Sequence, residues 1–153
     1  MTLLLCFLIG TASGLRSLTP IATVAWSSHV GWLRLSRPLS LIGSLPGVAI
    51  LTVLAFAELV ADKLPSTPNR TSAVGLIARV ILGGTSGACI AVGGGRGPVV
   101  GAALGATGGI AGAFGGYHAR KQIAKALNSP DIYVALFEDL VAIITSIWIA
   151  ARF

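Results

Sequence analysis

The side chains able to do chemistry in this chain are few and fall in two short runs. Glu58 and Asp62 are four residues apart, and Glu138 and Asp139 are adjacent. On a helix, positions four apart share a face, so Glu58 and Asp62 present two carboxylates together. Such a pair suits a hard cation, which takes oxygen ligands, and with His118 it can also exchange protons. Arg79 and Arg120 are expected at the same level. They compete as partners for the acids, which argues against a strong divalent site. Seven residues, Glu58, Asp62, Arg79, His118, Arg120, Glu138 and Asp139, are therefore candidates for an ion or solute site. The competing reading is that they pair across helices and lock the structure, because a charge buried in a membrane costs a few kcal/mol unless it is paired or wetted.

The solvent of these charges follows from composition. The 153 residues are 54% hydrophobic and only 10% charged, with mean hydropathy +0.86. A soluble domain carries roughly a quarter charged residues, so there is too little charge here to cover a wetted surface. The apolar content also excludes disorder. One integral membrane domain, residues 1–153, is the expected organisation. The net charge of +6 lies between apolar runs, where basic residues set orientation and meet anionic lipid. It forms no dense face with interleaved aromatics, so nucleic acid is not an expected partner. Cys6 and Cys89 lie inside apolar runs and read as small packing residues.

A helix needs about twenty apolar residues to cross the hydrocarbon core. Five segments qualify, at roughly 2–19, 46–64, 73–95, 98–118 and 132–151. The start, MTLLLCFLIGTASG, resembles a signal peptide but has no basic n-region and no clear cleavage site; it reads as part of the first membrane helix. Residues 20–33 fit less simply. Pro20 breaks or kinks a helix, and Trp26 and Trp32 suit an interface. The stretch reads as an interfacial helix, a re-entrant piece or a continuation of the first helix. Residues 117–128 extend the fourth helix into the headgroup layer.

Five spans put loops 63–72 and 119–131 on one face, with Lys63, Arg70, Arg120, Lys121 and Lys125, and Arg79 close by. Arg34, Arg37, Arg96 and Arg152 fall on the other. The richer face is placed in the cytoplasm, with the N-terminus inside and the C-terminus outside. Glu58 and the Glu138–Asp139 pair then lie about 10 Å inside the cytoplasmic surface. Arg16 is read as separate from them, toward the outer end of the first helix, where it snorkels to headgroups or meets an anion at a broken helix.

Eleven of the 20 glycines fall between Gly93 and Gly116. Gly101, Gly105, Gly109, Gly112 and Gly116 recur at helical spacing and make a smooth, zipper-like stripe for close backbone packing. No glycine triplet has dinucleotide-binding spacing and there is no P-loop. The hexapeptides Phe56–Ala61 and Phe137–Ala142 share the pattern F-x-acid-L-V-A. Each follows a helix with spaced glycines and then an arginine, Gly10/Gly14/Arg16 and Gly112/Gly116/Arg120. The two pairs are a candidate inverted repeat, an architecture common in transporters.

The segments GLRSLTPIATVAW, AELVADKLPSTPNRTSAVGLIAR, GAFGGYHAR and LFEDLVAI together resemble a bacterial membrane family known only as domain of unknown function number four-one-two-six. The resemblance covers almost the whole chain and is most specific from Glu58 to Arg79. It implies no activity, cofactor or catalytic residue. Within that block Pro65 and Pro68 are expected to stop a helix, and Asn69 and Arg70 to cap or pair at the interface.

No Ser-His-Asp set, HExxH, CxxC or nucleophile elbow is present, so neither an enzyme nor a cofactor is expected. The fold expected is an all-α polytopic bundle of about five transmembrane helices with glycine-rich packing faces, in the bacterial inner membrane. The function expected is a channel or transporter for a small ion or solute, gated by the carboxylate and arginine cluster. The alternative is a structural or assembly subunit of a larger membrane complex. Lipid surrounds either, and a chain this small is expected to form homo-oligomers or join a larger complex.

Overall fold

A computed structural model describes residues 1–62, 72–127 and 131–153. Lys63, Pro65, Pro68, Asn69 and Arg70, and the side chain of Lys125, lie outside the described residues. The described residues form six α-helices and no strand: α1 (Thr2–Leu15), α2 (Leu18–His29), α3 (Leu45–Ala61), α4 (Ala73–Gly93), α5 (Pro98–Leu127) and α6 (Asp131–Ala150). A short 3-10 turn, Leu39–Gly43, precedes α3. Helices α3 to α6 match the expected segments closely. Helix α5 continues unbroken past residue 118, as its basic tail suggested.

The expected first span, 2–19, is not one helix. Helix α1 stops at Leu15 because Arg16 is extended (φ −138°, ψ 109°). Helix α2 restarts after Ser17, and Pro20 sits in its first turn, where its missing N–H would be unsatisfied in any case. At 1.5 Å per residue α1 is about 21 Å long and α2 about 18 Å. Stacked end to end they would separate Thr2 from His29 by about 40 Å. Instead both lie near the C-terminal end of α4. A Cβ on Gly94 would come 2.8 Å from Thr2 Oγ1, and one on Gly93 would come 3.1 Å from Leu33 Cγ, four residues past α2. The chain therefore folds back at Arg16–Ser17, so residues 20–29 do not continue the first helix.

This hairpin gives the bundle a base end, holding Thr2 and Leu33, and a tip end. Helix α3 leaves the base, where His29 Nδ1 meets Gly43 O at 3.0 Å, and brings Glu58 to Ser17 at the tip. Helix α4 returns from Arg79, beside Gly14, to Gly93 at the base. Helix α5 runs back to the tip end. Helix α6 returns to the base, where a Cβ on Gly94 would lie 3.0 Å from Phe153 Cε1. Both chain ends therefore lie at the base end. The expected topology puts them at opposite ends; they share one because the chain reverses direction within the first expected segment.

Helices α1, α4 and α5 meet through glycine backbones. A Cβ on Gly10 would lie 2.8 Å from Gly105 Cα, and one on Gly14 would lie 2.5 Å from Gly109 O and Gly112 Cα. On the other side, a Cβ on Gly83 would lie 2.8 Å from Gly105 O, and one on Gly101 3.0 Å from the Gly87 carbonyl carbon. Gly116 is buried. The order of these contacts makes α1 parallel to α5 and α4 antiparallel to it. Yet α3 and α6, which carry the matching hexapeptides, are antiparallel to each other. An inversion would reverse both helices of a pair, so the two pairs are not an inverted repeat.

Leu5, Cys6 and Ile9 of α1 pack with Val24, Leu33, Cys89, Ile90, Ala91 and Ile149 into one buried cluster. The outside is equally apolar: Val53 is 67% exposed, Phe56 65% and Val74 79%. Helix α4, α5 over Pro98–Ile123, and α6 over Ile132–Ala150 are long and apolar enough to cross a membrane. Helices α1 and α3 are apolar but shorter. An apolar exterior of this kind is consistent with a membrane protein.

Candidate functional site

The site is built on the break between α1 and α2. A helix end leaves backbone carbonyls or N–H groups without intrahelical partners and carries about half a charge, negative at a C-terminus and positive at an N-terminus. Here a C-terminus and an N-terminus stand two residues apart inside the bundle, and side chains from three other helices meet them.

Glu58 of α3 answers the N-terminus of α2. Its Oε1 accepts from Ser17 N at 2.8 Å and from the Ser17 hydroxyl, and its Oε2 accepts from Leu18 N at 2.8 Å. A capping contact of this kind stabilises a helix by about 1 kcal/mol, and the negative charge adds to it through the helix dipole. Arg79 of α4 answers the C-terminus of α1, donating from Nε to Gly14 O at 3.0 Å and from Nη1 to Gly75 O in its own helix at 2.9 Å. Ser13 Oγ donates to Ser17 O at 3.2 Å across the break.

Arg16 occupies the middle. It is fully buried. Its Nη1 is ion-paired with Asp62 Oδ2, just beyond α3, and its Nε with Asp139 Oδ1 of α6. Beside this triad Arg120 of α5 and Glu138 of α6 approach at 3.6 Å. Arg79, the seventh residue of α4, and Asp139, the ninth of α6, place the tip about 10 Å inside that end of the bundle.

Of the seven residues picked from the sequence, Glu58, Asp62 and Asp139 converge on the hairpin tip and Arg79 joins them through Gly14. Arg120 and Glu138 form the adjoining pair. His118 stands apart: it is exposed, its Nδ1 meets Phe114 O of its own helix at 2.8 Å, and its ring stands edge-on to Tyr117. The residue that sequence reasoning set aside, Arg16, is the centre. A continuous first helix would have carried it to the far surface; the break holds it inside. The signal for that break was present in Ser17 three residues ahead of Pro20, a helix-start pattern inside an apolar run.

The arrangement balances charge. Arg16, Arg79 and Arg120 face four carboxylates, and one of these, Glu58, is also held by the positive end of α2. Among the described residues no group of three or more His, Cys, Asp or Glu is placed to hold a metal ion. What the geometry does is tie α3, through Glu58 and Asp62, and α6, through Asp139, to the hairpin tip.

No curated protein and no solved structure matches the sequence. The family model described as Domain of unknown function (DUF4126) matches residues 3–152, and the chain belongs to that family.

Proposed function

We propose that the chain is a multi-pass protein of the bacterial inner membrane that conducts a small ion or solute, with the hairpin tip as its gate. The observation that carries this reading is Arg16, fully buried between Asp62 and Asp139 where two helix ends stop short of the bundle end. Non-helical backbone at membrane depth is tolerated where protein surrounds it or a water-filled cavity reaches it. Transporters use broken helices to bring partial charges to the permeating species. Opening would part the acids of α3 and α6 from the tip. Neutralising one of them should therefore change flux.

The test is a liposome flux assay with protons, alkali cations, small anions and divalent cations, on wild type and Glu58→Gln. Flux of one species by wild type, altered at least severalfold in Glu58→Gln, is expected. No flux of any species in wild type overturns the reading. The assembly-subunit alternative counted on free glycine faces to seat a partner, and those glycines meet within the chain.

In this reading the end that carries Arg120 and Lys121 of α5, the face expected from the sequence to be the richer in basic residues, lies toward the cytoplasm, and both termini face outward. Epitopes fused at either terminus are expected to bind antibody in intact spheroplasts. A Lys121→Cys variant should react with an impermeant maleimide only after permeabilisation, against a background kept low by the buried Cys6 and Cys89. Termini on opposite sides would overturn the hairpin topology.

A further inference from the structure

We propose that a cavity at the base end of the bundle binds a phosphate group, with the Arg34 guanidinium as its principal donor. The site is remote from the hairpin tip and does not depend on flux through it. The cavity, about 530 Å³, is lined by Gly31, Trp32 and Arg34 from the turn after α2, by Gly93 at the end of α4, and by Ala151 and Phe153 after α6. Gly31, Trp32, Arg34 and Ala151 are all exposed, so a ligand in the cavity can touch them. The volume falls within the roughly 300–1,000 Å³ of small-molecule sites.

Charge selects an anion. The five acidic side chains belong to the tip-side parts of two helices: Glu58 and Asp62 come at the end of α3, and Asp131, Glu138 and Asp139 in the first half of α6. The base end carries Arg34, Arg37, Arg96 and Arg152. None of these four forms an ion pair among the described residues, either with a side chain or with the terminal carboxylate. Glu58 is thirteen residues along α3 from Leu45, about 20 Å. That exceeds the roughly 8 Å over which exposed charges act on each other in physiological salt, so the acids of the tip do not quench the base. An open cavity with one sign of charge around it concentrates the opposite ion.

The donors suit phosphate. A guanidinium presents paired N–H groups that match two phosphate oxygens at once. The backbone N–H groups of Trp32 and Arg34, on the same wall, have no acceptor among the described residues. The turn that displays this wall depends on Gly31, whose φ of +86° suits glycine. Next to Ala151 and Phe153, Arg152 lies over the Trp148 ring at 4.4 Å from its centre. Stacking uses the face of the guanidinium and leaves its in-plane N–H groups for an oxygen ligand. Trp32 and Trp148 are each about half exposed, the pattern of side chains at the level of lipid headgroups. Two sources present a phosphate at that level, a phospholipid headgroup and a soluble phosphate ester.

The test uses the full chain in an uncharged maltoside detergent. Retained phosphatidylglycerol is counted by native mass spectrometry against diacylglycerol, which lacks the phosphate, and sn-glycerol 3-phosphate is titrated by equilibrium dialysis. Saturable binding of phosphatidylglycerol in excess of diacylglycerol identifies a lipid headgroup as a ligand; saturable binding of glycerol phosphate identifies a soluble ester. For whichever probe binds, Arg34→Gln should weaken binding at least tenfold, the loss of a hydrogen bond to a charged group. Arg34 is exposed, so the variant should melt with wild type. Arg37→Gln and Lys121→Gln remove the same charge away from the cavity and should change binding by no more than about twofold, as exposed charges do. Equal losses in the three variants, no loss in Arg34→Gln, or no saturable binding of either phosphate probe overturns the inference.

Discussion

Arg16→Met is expected to destabilise the protein by about 3–5 kcal/mol, the cost of leaving buried partners of an ion pair without their counter-charge. Asp62 and Asp139 stay behind, with side chains only 17% and 10% exposed. At roughly 2–4 °C per kcal/mol for a chain of this size, the unfolding midpoint in detergent should fall by on the order of 10 °C. The buried Cys6 and Cys89 thiols give a direct readout, since they become reactive only when the helices part. Lost packing alone predicts a different pattern from lost charge. If charge is the cause, Arg16→Met combined with Asp62→Asn and Asp139→Asn should recover most of the stability, because the triple variant leaves no unpaired carboxylate. Asp139→Asn alone should cost more than Asp62→Asn, as the more buried acid of the two. If Arg16→Met melts with wild type, the triad does not hold the tip.

The helices were readable in the sequence because apolar runs bounded by charges leave little else for these residues to form. The seat of Arg16 was not, although the residues that decide it are local. A twenty-residue hydropathy window joins α1 and α2, since the break at Arg16–Ser17 is shorter than the window and Pro20 looks like a kink within one span. Neither helix, at 14 and 12 residues, is long enough alone to signal a span. The acids were legible as a group because they are rare. The partners of Glu58 and Arg79 were not, because three are backbone groups: Ser17 N and Leu18 N, which donate to Glu58, and Gly14 O, which accepts from Arg79, are free to do so only once the helix has broken. The repeated hexapeptide misled for a related reason. It correctly pairs Glu58 with Asp139 as residues that reach one point, but sequence identity carries no direction, and α1 running parallel to α5 rules out the inversion.

Gly105→Ala tests the other support of the tip, the close approach that lets α5 touch α1 and α4 at once. A Cβ at residue 105 would stand 2.9 Å from the Gly83 carbonyl carbon and 3.0 Å from Gly87 Cα. Both are backbone atoms, which cannot swing aside as a side chain does. The opposing face is as tight, since a Cβ on Gly10 would lie 2.8 Å from Gly105 Cα and its carbonyl carbon. Gly105→Ala should therefore destabilise by about 1–3 kcal/mol, the usual cost of overpacking, despite alanine being the better helix former. Gly105→Leu should prevent assembly. Gly115→Ala is the control: nothing lies within 4 Å of a Cβ there, so it should stabilise by up to about 1 kcal/mol through helix propensity. If Gly105→Ala and Gly115→Ala shift the midpoint alike, the close approach contributes nothing. Gly10→Ala and Gly105→Ala should also be less than additive, since one methyl that parts α1 from α5 already makes room for the other. That coupling would link the interface to the site, because α1 carries Gly14 and Arg16 at its end, and a shift of α1 moves both against Arg79 and Asp139.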